Sequence, residues 1–127
     1  MTFDLLSLSR KAAAVALTAT VATVSSAAFA HARPEKTDPP ANAALSAAPS
    51  AVTIDFTEKL EPAFSSIVVV DGAGKTVSDG KASVDAANRK RMTVPLSAAG
   101  TSAYTVKWVA VATDGHRTQG TYRFSVK

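Results

Sequence analysis

Two histidines and one aspartate hold most of the metal chemistry this chain offers. Asp114-Gly115-His116 sets a carboxylate and an imidazole two residues apart. The triplet lies between residues 104–112 and 120–126, two stretches rich in β-branched and aromatic residues at period two. Across a turn, such a pair points a carboxylate oxygen and a ring nitrogen at a shared point. Both are donors for a divalent transition metal, but two donors are not a site. Asp-Gly is also an ordinary hairpin dipeptide, and a histidine in a turn is usually just hydrated. The only other histidine is His31, and the metal reading rests on the two occurring together.

His31 gains its meaning from what precedes it. Arg10-Lys11 closes a short basic region, residues 12–24 are an Ala/Val/Leu/Thr run, and Ala28-Phe29-Ala30 fits the small-x-small cleavage pattern. The run falls short of the roughly 20 apolar residues that span a bilayer. Residues 1–30 therefore read as an export signal cleaved after Ala30, which makes His31 the first residue of the mature chain. A terminal histidine offers its α-amine and Nδ1 to one ion in a six-membered chelate. The amine titrates near pH ~8 and the imidazole near ~6.5, so both are open to a strongly binding metal around neutrality. With Asp114 and His116 the set becomes three nitrogens and one carboxylate oxygen. A tetragonal N,O set suits Cu(II) or Ni(II), and copper stands highest in the Irving–Williams order. The chain has no cysteine, and Met92 is its only methionine after residue 30. Soft ligands for Cu(I) are scarce.

The elements that must hold these groups read as short strands. The 97 residues after the signal make one small domain. Residues 33–50, with four prolines, predict an extended edge and loops rather than helix. Leu45 is expected to plug one end of the core. Val52, Ile54 and Phe56 alternate inward with Thr53 and Asp55 outward, and Glu58 leaves that strand at its end. Residues 60–64 predict a turn with Phe64 in the core. Residues 66–70 are a continuous apolar run, which predicts a strand covered on both faces. Residues 71–74 form a turn, and residues 76–77 and 81–84 short strands. Residues 92–96 form a strand that is edge-like at Pro95. Trp108 shares the inward parity of Tyr104 and Val106, which makes it a core residue first and a shield for a metal second. The fold expected is all-β: a small Greek-key sandwich or barrel, immunoglobulin-like and cupredoxin-like in general shape.

Charge narrows the partners. The chain has 14 Lys and Arg against 10 Asp and Glu, and setting aside Arg10, Lys11 and Asp4 leaves 12 against 9. Arg89-Lys90-Arg91 lacks interleaved aromatics for stacking, so it reads as a solvated loop, not a nucleic-acid patch.

The mature chain resembles the CopC-like periplasmic copper-resistance proteins. The family's Pro-x-x-Val/Ile-x-Leu-x-Phe-Ser-Glu segment is similar to Pro49-Ser-Ala-Val-Thr-Ile-Asp-Phe-Thr-Glu58. Its Tyr-x-Val-x-Trp-x-x-x-Ser-x-Asp-x-His-x-x-x-Gly segment is similar to residues 104–120, with Ala or Thr where Ser is usual. The resemblance implies one Cu(II) held by His31 (amine and imidazole), Asp114 and His116. It also implies that Glu58 lies beside the metal as a supporting group or occasional ligand. Residues 71–80 have no Met or His, unlike members with a methionine-rich Cu(I) loop, so no Cu(I) site is expected. Pro34-Glu35 also departs from a usually apolar first strand. The expected function is a monomeric periplasmic Cu(II) carrier for copper resistance or homeostasis, passing copper to an inner-membrane partner. It is expected to be neither an enzyme nor a nucleic-acid binder. The alternatives are a copper oxygenase resembling a polysaccharide monooxygenase, and a metal-free immunoglobulin-like export domain.

Overall fold

A computed structural model describes residues 31–97 and 99–127. The expected signal segment, residues 1–30, lies outside the described residues. The described residues form strands and turns with no helix. The strands are β1 (Pro34–Asp38), β2 (Ala44–Leu45), β3 (Ala51–Phe56), β4 (Ser66–Val70), β5 (Ser83–Val84), β6 (Arg91–Pro95), β7 (Ser102–Val111) and β8 (Arg117–Val126). They make two four-stranded sheets, ordered β1-β3-β6-β5 and β2-β8-β7-β4. The chain changes sheet between β1 and β2, β2 and β3, β3 and β4, β4 and β5, and β6 and β7. Those crossovers make a Greek-key sandwich of the expected all-β class.

Period-two burial builds the core. Val52, Ile54 and Phe56 of β3 are fully buried and belong to one core cluster with Tyr104, Val106, Trp108 and Ala110 of β7. Each large apolar side chain buried this way contributes about 1.5–3 kcal/mol. The Trp108 ring packs edge-on against Phe56, with centroids 5.3 Å apart, which confirms the core reading. Leu45 is partly buried against this cluster where β2 runs parallel to β8. The Tyr104 hydroxyl donates to the Gly100 carbonyl and fastens the crossover into β7.

Several expectations need correction. Phe64 is 69% exposed, not core. Leu60 takes the buried place, and the Phe64 N–H closes a turn onto the Glu61 carbonyl that throws the ring outward. The β4 run is covered on one face only: Ile67 and Val69 are buried, whereas Val68 is 39% exposed. Arg91 is not in a loop. It opens β6 opposite Asp55 and grips that carboxylate with Nε at 2.7 Å and Nη2 at 3.0 Å. Pro95 ends β6 opposite Ala51, beyond the short reach of β5. The polar Pro34-Glu35 start of β1 has a structural reason. β1 is a largely exposed edge strand, and its register against β3 shifts between Pro34 and Lys36, a bulge that blunts an open edge.

Candidate metal centre

β7 and β8 pair over their whole length, from Ser102 opposite Val126 to Val111 opposite Arg117. Residues 112–116 close that hairpin. The Gly115 N–H donates to the Ala112 carbonyl and the Ala112 N–H to the His116 carbonyl. Gly115 has φ 89°, a left-handed conformation that glycine adopts without strain. Asp114 and His116 flank it and reach each other. One carboxylate oxygen of Asp114 accepts the His116 backbone N–H at 3.0 Å, and the other lies 3.0 Å from His116 Nδ1. The His116 backbone N–H, then its ring, hold the Asp114 carboxyl below the usual carboxylate range, so it is anionic at neutral pH. Both side chains stand about half exposed at the end of the sandwich.

His31 reaches the same place because residues 31–33 are stitched to both sheets. Ala32 is fully buried, and its carbonyl accepts the Thr118 hydroxyl of β8 at 2.6 Å. On the other sheet, the Thr57 N–H donates to the Arg33 carbonyl at 2.9 Å, and the Arg33 N–H donates to Thr57 Oγ1 at 3.0 Å. The His31 ring then meets the His116 ring edge-on, with centroids 4.8 Å apart and planes at 79°.

This geometry suits a cation with adjacent donors. Two donors about 2 Å from one ion, at right angles, lie roughly 2.8 Å apart, and Nδ1 of His116 and Oδ2 of Asp114 are 3.0 Å apart. Two imidazoles bound side by side at that length have centroids roughly 4.5 Å apart, close to the 4.8 Å between His31 and His116. Among the described residues, no three His, Cys, Asp or Glu side chains are already closed around one point. The reason is visible: the Asp114–His116 pair is satisfied by itself, and His31 leans on the His116 ring.

Glu58 is exposed on the bend after β3 and makes no hydrogen bond or ion pair with the described residues. Its neighbour Thr57 is the residue tied to Arg33. Thr57 and Thr118 are the positioning residues that sequence reasoning missed. A threonine in a strand carries no pattern that tells a clamp from a surface position.

A family model described as CopC domain matches residues 34–127. Protein YobA of Escherichia coli (strain K12) is 36% identical over 109 residues, covering 85% of this chain and 88% of YobA. Copper transport protein CutJ of Bacillus subtilis (strain 168) is 36% identical over 99 residues, 77% of this chain but 18% of CutJ. The crystal structure of PcoC, a methionine-rich copper resistance protein from Escherichia coli, superposes with TM-score 0.67 at 28% identity. That match covers 77% of this chain and 100% of PcoC.

Proposed function

The chain belongs to the CopC family, and from that premise we propose that it binds one Cu(II) at the open end of its sandwich. It then carries that copper through the periplasm for resistance or homeostasis. The observation that carries the reading is the convergence of His31, Asp114 and His116 from the two ends of the described chain. A cation between His116 Nδ1 and the Asp114 carboxylate would be held with the imidazole in the tautomer that carries its proton on Nε2. His31 adds its imidazole and, once residues 1–30 are removed, its α-amine. Glu58, one residue beyond Thr57, supports the cation through solvent.

Carriage is favoured over catalysis by the donor count. Amine, two imidazoles and a carboxylate fill the four strong positions of a tetragonal ion and present no general base. The only methionine after residue 30, Met92, is fully buried in the core, which supports Cu(II) over a thioether-held Cu(I). PcoC, by contrast, is described as methionine rich. A like domain forms a small part of the longer copper transport protein CutJ, which supports handing copper to a transport partner in the inner membrane.

The test compares the chain beginning at His31 with the same chain acetylated at its α-amine. Acetylation removes the amine as a donor and leaves every side chain in place. Cu(II) affinity by chelator competition should fall roughly tenfold or more, about 1.4 kcal/mol at least. Equal affinity would remove the amine from the site.

A further inference from the structure

Resting on the carrier reading, we propose that the outer face of the β2-β8-β7-β4 sheet docks an acidic protein surface of the copper-receiving partner. An apolar side chain of that partner fills the recess beside the metal hairpin. The two exposed large hydrophobics among the described residues, Phe64 and Val68, both lie on this side. Phe64 forms a ridge between two recesses. One, of about 450 Å³, is lined by Phe64, Val111, Thr113, Gly115, Arg117 and Glu61. The other, of about 440 Å³, lies between Phe64, Val68 and Lys81. Both volumes fall in the range that takes up a side chain or small ligand. Gly115 belongs at once to the first recess and to the Asp114–His116 turn, so whatever fills the recess sits against the metal hairpin.

Charge selects the partner. The outward positions of β4, β7 and β8 carry Lys107, Arg117 and Arg123 and no carboxylate. None of the three pairs with an acid among the described residues, and Arg117 instead donates to Gln119 at 2.8 Å. Glu61 at the recess rim is the single opposing charge. The other sheet differs: its outer cleft gathers Lys36, Asp38, Asp55 and Arg91, where Arg91 is already clamped on Asp55. One face sets two cations against two acids, and the face beside the metal hairpin leaves cations for an incoming acidic surface. The recesses favour a protein over a lipid headgroup layer, because a folded surface fills concavities that a bilayer only covers.

The test uses the chain beginning at His31 and right-side-out inner-membrane vesicles of its own bacterium, in three forms. These are intact vesicles, vesicles shaved with protease, and liposomes of the extracted lipid. Binding should be saturable on intact vesicles and absent on the other two. Phe64→Asp and the double change Lys107→Glu, Arg123→Glu should each weaken it roughly tenfold. Lys36→Glu on the opposite face should leave it unchanged. Equal binding to liposomes, no binding at all, or indifference to the Phe64 and Lys107/Arg123 changes would overturn the proposal. A Cu(II) titration of the same proteins in solution reports the carrier reading separately, so failed docking with an intact copper site counts against this inference alone.

Discussion

The ring of His31 meets the ring of His116 edge-on, centroids 4.8 Å apart, although the two residues stand near opposite ends of the described chain. No strand places His31 there. Its position depends on Ala32, whose buried side chain and Thr118-bound carbonyl pin the segment between the sheets, and on Thr57, which holds Arg33 from the other side. The hairpin needs no such help, since Asp114 and His116 are joined within one turn. One half of the proposed site is joined within one turn, and the other is held by a clamp.

Thr118→Val tests that clamp. The change keeps the β-branched shape and leaves the buried Ala32 carbonyl without its donor, at a cost of about 1–3 kcal/mol in stability. If the clamp delivers His31, Cu(II) affinity falls as well, by roughly five- to tenfold, with one equivalent still bound. Chelator competition alongside urea denaturation separates the two effects. A stability loss with unchanged affinity would leave Thr118 a purely structural residue.

Gly120→Ala tests the packing behind the hairpin. A Cβ at Gly120 would lie 2.6 Å from Cζ2 and 2.9 Å from Cε2 of Trp108. That ring is held against Phe56 in the core. The overpacked variant should lose about 1–3 kcal/mol. Gly100→Ala, with nothing within 4 Å of its new Cβ, serves as the control and should stay near neutral. Denaturation followed by tryptophan fluorescence reads both.

Tyr122 gives a pH dependence. Its hydroxyl is buried and faces Thr37 of β1 without a well-formed hydrogen bond. Burial, helped by the charge of Asp38, holds its pKa up to about 12. The folded state therefore keeps a neutral phenol while the unfolded chain ionises near pH ~10. The stability this group supports is complete below about pH 10 and is lost as the pH climbs toward about 12, by about 2–3 kcal/mol. Tyr122→Phe should escape that loss, so its unfolding midpoint should decline less between pH 8 and about 11.5. Parallel declines in the two proteins would contradict the assignment.

Much of this arrangement is legible in the sequence, for identifiable reasons. Residues 52–56 and 104–110 alternate strictly because each strand has one face on the core and one on water, so their burial follows directly. Asp114 and His116 stand two apart in a turn, and their contact is local. What the sequence hides is non-local. Phe64 looks like core until the Glu61–Phe64 turn shows that Leu60 already occupies that space. Arg91 looks like loop charge until β6 sets it across from Asp55. The central run of β4 looks doubly buried because the sequence does not reveal that only one face of β4 meets the core, which leaves Val68 toward solvent. The hydroxyls of Thr57 and Thr118 bond residues far away in the chain, and no periodicity announces such partners.

The most direct test is a Cu(II) titration of the chain beginning at His31, read by electron paramagnetic resonance, with His116→Ala alongside. One equivalent with a tetragonal, nitrogen-rich spectrum, and at least a roughly tenfold weaker site in the variant, is the predicted result. No tight binding, or binding indifferent to His116, would leave the fold standing and contradict a copper site between Asp114, His116 and His31.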